Sequence, residues 1–239
     1  MNITGIFFDF GGTLMNAKSD KEAHYHLMNA VKQKYALKTT TEKLLAEYEF
    51  YVHKYPNPLV YEKSHGMKNI KNAFCQILSA RSKIPDYNWF WEEYMKNHIA
   101  HVRLNKHAQE VLVKIKSSEP KSHLGLISDA DDEYLYKQMS ALDILGLFDS
   151  ITTSEEVGFR KPAKEIFRKA LGKAKCKPEN AIYIGDNVER DILGAQSVGM
   201  TAVLFSGSIA KCKETDFVIT SLNNLLDVIF KLKNTGTKK

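Results

Sequence analysis

The strongest constraint on the fold is a series of short, continuous apolar runs that alternate with helical patterns along the chain. The clearest runs are residues 6–8, 124–127, 181–184, 201–205 and 217–219. Uninterrupted apolar runs of this length are typical of strands in a parallel sheet that helices cover on both faces. The sequence therefore predicts an α/β fold with a doubly wound, mostly parallel sheet.

Residues 16–99 have a different pattern, because they contain no convincing strand and are rich in aromatic residues. Four amphipathic helices are predicted there. The first would open with a capping box from Ser19 to Glu22, and the second with the segment from Thr39 to Glu42, with a stop at Pro56 and Pro58. The apolar faces of the third and fourth comprise Ile70, Phe74, Ile77 and Leu78, then Tyr87, Phe90, Trp91 and Tyr94.

This pattern predicts an α-helical bundle inserted after the first strand. Residues 1–15 and 100–239 would form the α/β core, and residues 16–99 a helical cap domain. Asn105 would be the N-cap of the first helix after the insert. The aromatic stripe is interpreted as the core of the bundle and not as a ligand cage.

Composition narrows the function classes. The 239 residues carry a formal net charge of +6, but the lysines are spread along the whole chain, so nucleic-acid binding is not expected. No apolar run is long enough to cross a bilayer, and no secretory signal is expected before the first strand. Cys75, Cys176 and Cys212 form neither a zinc pattern nor a disulfide framework, which favours a cytoplasmic protein. The sequence does not determine an oligomeric state.

Polar residues follow two of the predicted strands. Asp9 ends the first strand and is followed by Gly11 and Gly12, whose backbone N–H groups could approach an anion closely. Ser128 and the backbone N–H of Asp129, after the second apolar run, could donate to a phosphoryl oxygen. Each segment taken alone could instead be an ordinary turn or a helix N-cap.

Two later segments add charged groups. Lys161 precedes Pro162, and its ammonium could neutralise a phosphate or a carboxylate, although an isolated lysine is usually a solvated surface residue. Asp186 follows another apolar run, and Asp191 lies five residues further on. Because Mg²⁺ prefers one or two carboxylates with water and phosphate, Asp9 and Asp186 on neighbouring strand ends could hold it.

Together and in this order, the four segments resemble the motifs of the haloacid dehalogenase-like (HAD) hydrolase superfamily. The matching residues are Asp9 to Thr13, Ser128, Lys161 within Arg-Lys-Pro, and Gly185-Asp186 with Asp191. The resemblance implies a Rossmann-like core with a helical cap after the first strand. It also implies a Mg²⁺-dependent phosphatase that acts on a small phosphorylated metabolite.

The resemblance further implies a role for each residue. Asp9 would attack phosphorus and form an aspartyl-phosphate. The Asp9 side chain, the Gly11 carbonyl and Asp186 would hold Mg²⁺. Phosphate would be bound by Gly12, Ser128, Asp129 and Lys161. Asp191 would orient Lys161 or a metal-bound water.

Gly11 departs from the pattern of the superfamily's phosphatases, which usually carry a second Asp there as general acid. Three readings remain open: a phosphatase that acts on good leaving groups or takes its acid from water or the cap, a C–halogen or C–P hydrolase, and a phospho-ligand-binding protein without turnover. A C–P hydrolase would need a Schiff-base lysine in the cap, for which Lys38, Lys43 and Lys54 are candidates. Three cap histidines, His53, His65 and His98, could supply an acid or be ordinary surface residues. The stretch from Lys54 to Gly66 could select the substrate or be a plain loop.

Overall fold

The computed structural model describes residues 2–54, 59–118, 121–207, 212–215 and 217–234. The predicted helix stop at Pro56 and Pro58 lies outside these residues, as do positions 55–58 of the stretch considered for substrate selection.

A six-stranded, fully parallel sheet forms the centre of the fold, in agreement with the predicted α/β class. Its strands are β1 (Gly5–Phe8), β2 (His123–Ser128), β3 (Ser150–Thr153), β4 (Ala181–Gly185), β5 (Thr201–Phe205) and β6 (Val218–Ile219), in the spatial order β3-β2-β1-β4-β5-β6. Phe8 is in register with Leu126 on β2 and with Ile184 on β4. The carboxyl ends of these three central strands therefore lie side by side, where a crevice forms in such sheets.

The four helices after β1 are α1 (Ala17–Lys34), α2 (Thr41–Lys54), α3 (His65–Ser79) and α4 (Tyr87–His101), called here the helical insert. They share a hydrophobic cluster of their own, in which Phe74 stacks on Phe90 with ring centroids 3.9 Å apart. The predicted aromatic faces of α3 and α4 thus meet inside a bundle. The first N-cap differs from the expectation: the Asn16 side chain accepts from the amides of Lys18 and Ser19, so α1 begins before the predicted capping box.

The remaining helices cover the sheet. They are α5 (Ala108–Lys116), α6 (Asp132–Ala141), α7 (Ser154–Val157), α8 (Lys164–Ala174), a π-helical turn at Val188–Leu193, α9 (Gly194–Gln196) and α10 (Asn224–Asn234). Adjacent residues of β1 enter separate hydrophobic clusters, Phe7 on one face and Phe8 on the other. Both faces are therefore buried, which explains the uninterrupted apolar runs. No helix in the described ranges is both long and apolar enough to cross a membrane.

The two chain segments that connect the insert to the sheet are fastened together. The Asn105 side chain donates to the carbonyls of Gly12, at 3.0 Å, and Thr13, at 2.9 Å, and accepts from Asn16 at 2.9 Å. The prediction that Asn105 caps α5 was wrong, because His107 occupies that position. Asn105 instead holds the loop after β1 in place.

The insert also contacts the sheet and its covering helices, together called here the sheet domain. These contacts lie around the start of α3. The Asp131 carboxylate accepts from the Tyr61 hydroxyl and from the Met67 amide, both at 2.7 Å. Backbone hydrogen bonds join Tyr61 N to Gly158 O at 2.8 Å and Arg160 N to Leu59 O at 2.9 Å. These contacts hold the insert against the loop that leads to Lys161.

Candidate active site

Asp9 lies directly after β1, at the centre of the row of strand ends. Its backbone N–H donates to the Ile184 carbonyl at 2.8 Å, which continues the pairing with β4 by one residue. The side chain is buried, and its Oδ2 atom accepts from the Thr13 hydroxyl at 3.4 Å. The sheet thus fixes both the backbone and the carboxylate of the predicted nucleophile.

Lys161 contacts this carboxylate from the loop before α8. Its residue surface is only 2% exposed, so the alternative of a solvated surface lysine does not hold. The Nζ atom donates to Asp9 Oδ1 at 2.6 Å, Asp191 Oδ1 at 2.7 Å and the Tyr183 hydroxyl at 3.0 Å. One ammonium therefore joins residues from β1, β4 and the π-helical turn.

Burial and charge shift the ionisation of these groups in different directions. Burial raises the pKa of Asp9 to about 7, even though the Lys161 ammonium opposes the rise. Burial alone would raise the pKa of Asp191 as well, but Lys161 lowers it below its usual value. The pKa of Lys161 stays well above its usual value because Asp191 and Asp9 outweigh the cost of burial. The lysine is therefore charged at neutral pH.

Three carboxylates gather around the position expected for Mg²⁺. One oxygen each from Asp9, Asp186 and Asp191 lies within 4.8 Å of the others, and Asp186 is exposed at the rim. Desolvation, and then the charge of Asp191, raise the pKa of Asp186. A cluster with more carboxylates than ammonium groups and one solvent-facing member suits a hard divalent cation, so these residues fit Mg²⁺.

The two glycines next to these carboxylates explain their close approach. A Cβ on Gly12, whose φ is +85°, would overlap with Asp186 Oδ2. A Cβ on Gly185 would lie 2.5 Å from Asp191 Cγ. Gly11 is different, because a Cβ there would meet only the Met15 Cε atom, at 3.9 Å. Larger side chains are thus excluded at positions 12 and 185 but not at position 11.

The predicted phosphate-binding segment lies beside Asp9 on the neighbouring strand. Ser128 is buried at the end of β2. The Asp129 side chain, for which sequence analysis predicted no role, accepts from the Ser154 hydroxyl at 2.8 Å and from the Lys161 backbone N–H at 2.9 Å. The structure therefore brings Ser128, Asp129 and Lys161 to one edge, and Asp129 positions the lysine loop.

Three further residues at this site were not predicted from the sequence. The Tyr183 hydroxyl donates to Asp191 Oδ1 at 3.0 Å, and the Asn187 amide donates to Asp191 Oδ2 at 3.0 Å. Arg190 lies with its Nη1 atom 3.9 Å from Asp129 Oδ2 and adds a second cation. A tyrosine inside an otherwise aliphatic strand was the one available signal. The contacts of Asn187 and Arg190 depend on the π-helical turn, which was not predicted from the sequence.

The three histidines of the helical insert that were considered as acids differ in their burial. His53 is exposed and His65 partly exposed, whereas His98 is completely buried and so is not the surface residue considered above. Lys38, Lys43 and Lys54 are all exposed. A small cavity of about 110 Å³ lies between the insert and the sheet domain. Its lining includes Met67, Ile70, Trp91, Asp129 and Tyr134.

The chain is similar in sequence to several curated phosphatases. The glyceraldehyde 3-phosphate phosphatase of Methanothermobacter thermautotrophicus is 35% identical over 111 residues, which cover 46% of this chain and 49% of that protein. The enzyme of the same name from Pyrococcus abyssi is 28% identical over 207 residues, 84% of this chain and 80% of that protein. The chain spans about half the length of several curated relatives that it matches.

Solved structures share the fold. The magnesium-bound YfnB of Bacillus subtilis superposes with a TM-score of 0.74 at 17% identity, over 96% of this chain and 99% of that one. The sequence model of the haloacid dehalogenase-like hydrolases matches residues 6–205, which is most of the chain. The chain therefore belongs to the haloacid dehalogenase-like hydrolase family.

Proposed function

We propose that this protein is a Mg²⁺-dependent phosphatase that hydrolyses a small phosphorylated metabolite through an aspartyl-phosphate on Asp9. The observation that carries the proposal is the charged Lys161 Nζ atom, 2.6 Å from a buried carboxylate at the centre of the strand ends. The names of the relatives, glyceraldehyde 3-phosphate phosphatase among them, support a phosphate monoester as the substrate.

The chemistry follows from the electrostatics. A carboxylate that approaches a phosphate dianion is repelled, so positive charge must offset both partners. Lys161 supplies one such charge to Asp9, and Asp191 with Tyr183 keeps the ammonium in place. Mg²⁺ held by Asp9, Asp186 and the Gly11 carbonyl would supply the second charge.

Phosphate binding is assigned to the edge formed by β1 and β2. The Ser128 hydroxyl and the Asp129 backbone N–H offer donors to the phosphoryl oxygens. The Gly12 backbone N–H, which was predicted as a further donor, instead donates to the Met15 carbonyl at 3.0 Å. The oxygen–phosphorus bond to the leaving group breaks as Asp9 binds phosphorus, and water then attacks phosphorus to regenerate the carboxylate. The proposed site thus uses residues from all four sequence motifs.

Gly11 determines which substrates are favoured. Glycine has no carboxyl group that could protonate the leaving oxygen. Aryl and acyl phosphates, whose leaving groups depart readily without a proton, should therefore react faster than alkyl phosphates. Gly11 also provides no carboxylate that could activate the water that attacks the aspartyl-phosphate. Hydrolysis of the aspartyl-phosphate should therefore be slow as well.

We also propose that residues 16–99 act as a cap that selects the leaving group. The cavity between the insert and the sheet domain reaches Asp129, directly after Ser128, and is only about 110 Å³ in volume. Its apolar lining from Ile70 and Trp91 favours a small group with little charge beyond its phosphate.

The other readings have less support. A carbon–halogen hydrolase of this superfamily would not need Asp186, which here lies beside Asp9 and Asp191. A Schiff-base lysine needs burial to lower its pKa, and the three candidates in the insert are exposed. A phospho-ligand-binding protein without turnover is distinguished from the phosphatase only by assay.

The direct test measures phosphate release from p-nitrophenyl phosphate and from a panel of phosphorylated metabolites that includes glyceraldehyde 3-phosphate. We expect release that needs Mg²⁺, stops with chelator and is abolished in Asp9→Asn. The matched control is Asp143→Asn, an exposed aspartate away from the site, which should keep full activity. Halide release from haloacids without metal, or no turnover on any phosphate, would contradict the proposal.

A further inference from the structure

A second group of chemically active side chains lies inside the helical insert, apart from the Asp9 site. Asp20 and His24 are one helical turn apart on α1 and share a face, and His98 lies on α4. Helices α1 and α4 pack along each other. One potential ligand atom from each of the three residues lies within 4.8 Å of the other two.

His98 is oriented as metal-binding histidines are. It is fully buried, and its Nδ1 atom lies 2.8 Å from the Tyr94 carbonyl oxygen. A carbonyl can only accept, so Nδ1 carries the proton and Nε2 carries the lone pair. A histidine that ligates a metal is usually fixed by this kind of bond from its other nitrogen.

The Nε2 atom of His98 has no hydrogen-bond partner among the residues that the structure describes, and it lies 3.6 Å from Asp20 Oδ1. Asp20 is in turn 3.9 Å from Nδ1 of His24. Buried acceptors are almost always satisfied by protein, water or an ion. A buried imidazole nitrogen that has no partner and faces a carboxylate and a second imidazole is therefore placed to bind a cation.

The second imidazole lies against the first. The ring centroids of His24 and His98 are 4.8 Å apart, and the two rings meet edge to face. This approach places one nitrogen of each ring beside the Asp20 carboxylate. Two imidazole nitrogens beside one carboxylate favour a cation.

We propose that Asp20, His24 and His98 form a binding site for a divalent transition-metal ion such as Zn²⁺. Two imidazoles and one carboxylate are a common zinc donor set, whereas Mg²⁺ prefers oxygen ligands only. Asp20 and His24 are partly exposed, so the fourth position is open to water or to an exogenous ligand. Since α1 and α4 begin and end the insert, the ion joins the two helices that lead to the sheet domain.

The same helix pair offers an internal control. Glu22, His26 and His101 also lie within 4.8 Å of one another, but none of them is buried. The His26 and His101 rings stack face to face, with centroids 3.9 Å apart. This second group resembles the first in composition and lacks its buried, unpaired nitrogen.

The test uses the full chain, stripped of metal and then titrated with Co²⁺ in the presence of excess Mg²⁺. We expect one Co²⁺ per chain with the intense visible absorption of a tetrahedral ion, displaced by Zn²⁺. His98→Gln should weaken binding by about 100-fold or more, because even loss of an outer-shell partner costs 10–100-fold. His24→Gln, at a partly exposed position, should have the same effect if His98→Gln does not fold.

His101→Gln should bind as the wild type does, and so should Asp186→Asn, which alters only the Asp9 site. The proposal is overturned by the absence of stoichiometric tetrahedral binding in the wild type. It is also overturned if His24→Gln binds normally, or if binding is lost in His101→Gln or Asp186→Asn instead. None of these results depends on phosphatase activity, so the proposed function can fail while this site stands.

Discussion

Restoring a carboxylate at position 11 is the most informative single change. A Cβ on Gly11 would meet only Met15 Cε, at 3.9 Å, and the backbone there is not left-handed, so aspartate fits without steric strain. A general acid contributes about 10²–10⁴-fold when the leaving oxygen needs a proton. Gly11→Asp should therefore raise kcat/KM for an alkyl phosphate by about 100-fold or more, and for p-nitrophenyl phosphate by less than about tenfold.

The assay compares kcat/KM for both substrates in wild type, Gly11→Asp and Gly11→Asn at saturating Mg²⁺. Asn has nearly the same shape and no proton to transfer, so it should leave the ratio of the two substrates unchanged. An equal gain on both substrates, or a gain with Asn as large as with Asp, would exclude proton transfer from position 11 as the cause. Such a result would mean that position 11 acts through packing or metal affinity and not through proton transfer.

Three further changes test the charge cluster. Lys161→Met should lower the free energy of unfolding by about 3–5 kcal/mol in urea denaturation, because Asp9 and Asp191 would be left buried without a counter-ion; a loss below about 1 kcal/mol would contradict this. Tyr183→Phe should lower kcat about tenfold with little change in Tm, because it removes two 3.0 Å hydrogen bonds and keeps the ring; an unchanged kcat would argue against a positioning role. In metal-free protein, Asp9→Asn should gain stability relative to wild type as the pH rises from about 4 to about 7, by at most about 4 kcal/mol. The folded pKa of Asp9, about 7, lies above its usual value, so wild-type stability from this group is lost through that range; a difference independent of pH would exclude the shift.

The main architecture could be predicted because it depends on local patterns. Burial on both faces forces the strands of a parallel sheet to be apolar throughout, and such runs are visible without any structure. Five of the six strands were predicted in this way. The exception, β3, has the sequence Ser-Ile-Thr-Thr, and its short length and hydroxyl side chains resemble a loop. Its pairing with β2 is what identifies it.

The residues of the site were predictable only where motif order located them. Asp9 and Lys161 are 152 residues apart, and no sequence spacing shows that their side chains meet. The supporting contacts of Asp129 and Tyr183 depend on side-chain direction across different elements, so pattern analysis could not find them. Asn105 illustrates the same point. The predicted role as a helix cap depends on neighbouring residues, whereas the observed hydrogen bond joins Asn105 to the distant Gly12 carbonyl.

A rapid acid quench during turnover of p-nitrophenyl phosphate tests whether Asp9 is the nucleophile. Since no carboxylate at position 11 activates water, the phosphorylated enzyme should accumulate. We expect a burst of p-nitrophenol, and mass spectrometry should find one phosphoryl group on the peptide that contains Asp9. Turnover with no phosphorylated peptide, or with the phosphoryl group on another residue, would exclude Asp9 as the nucleophile.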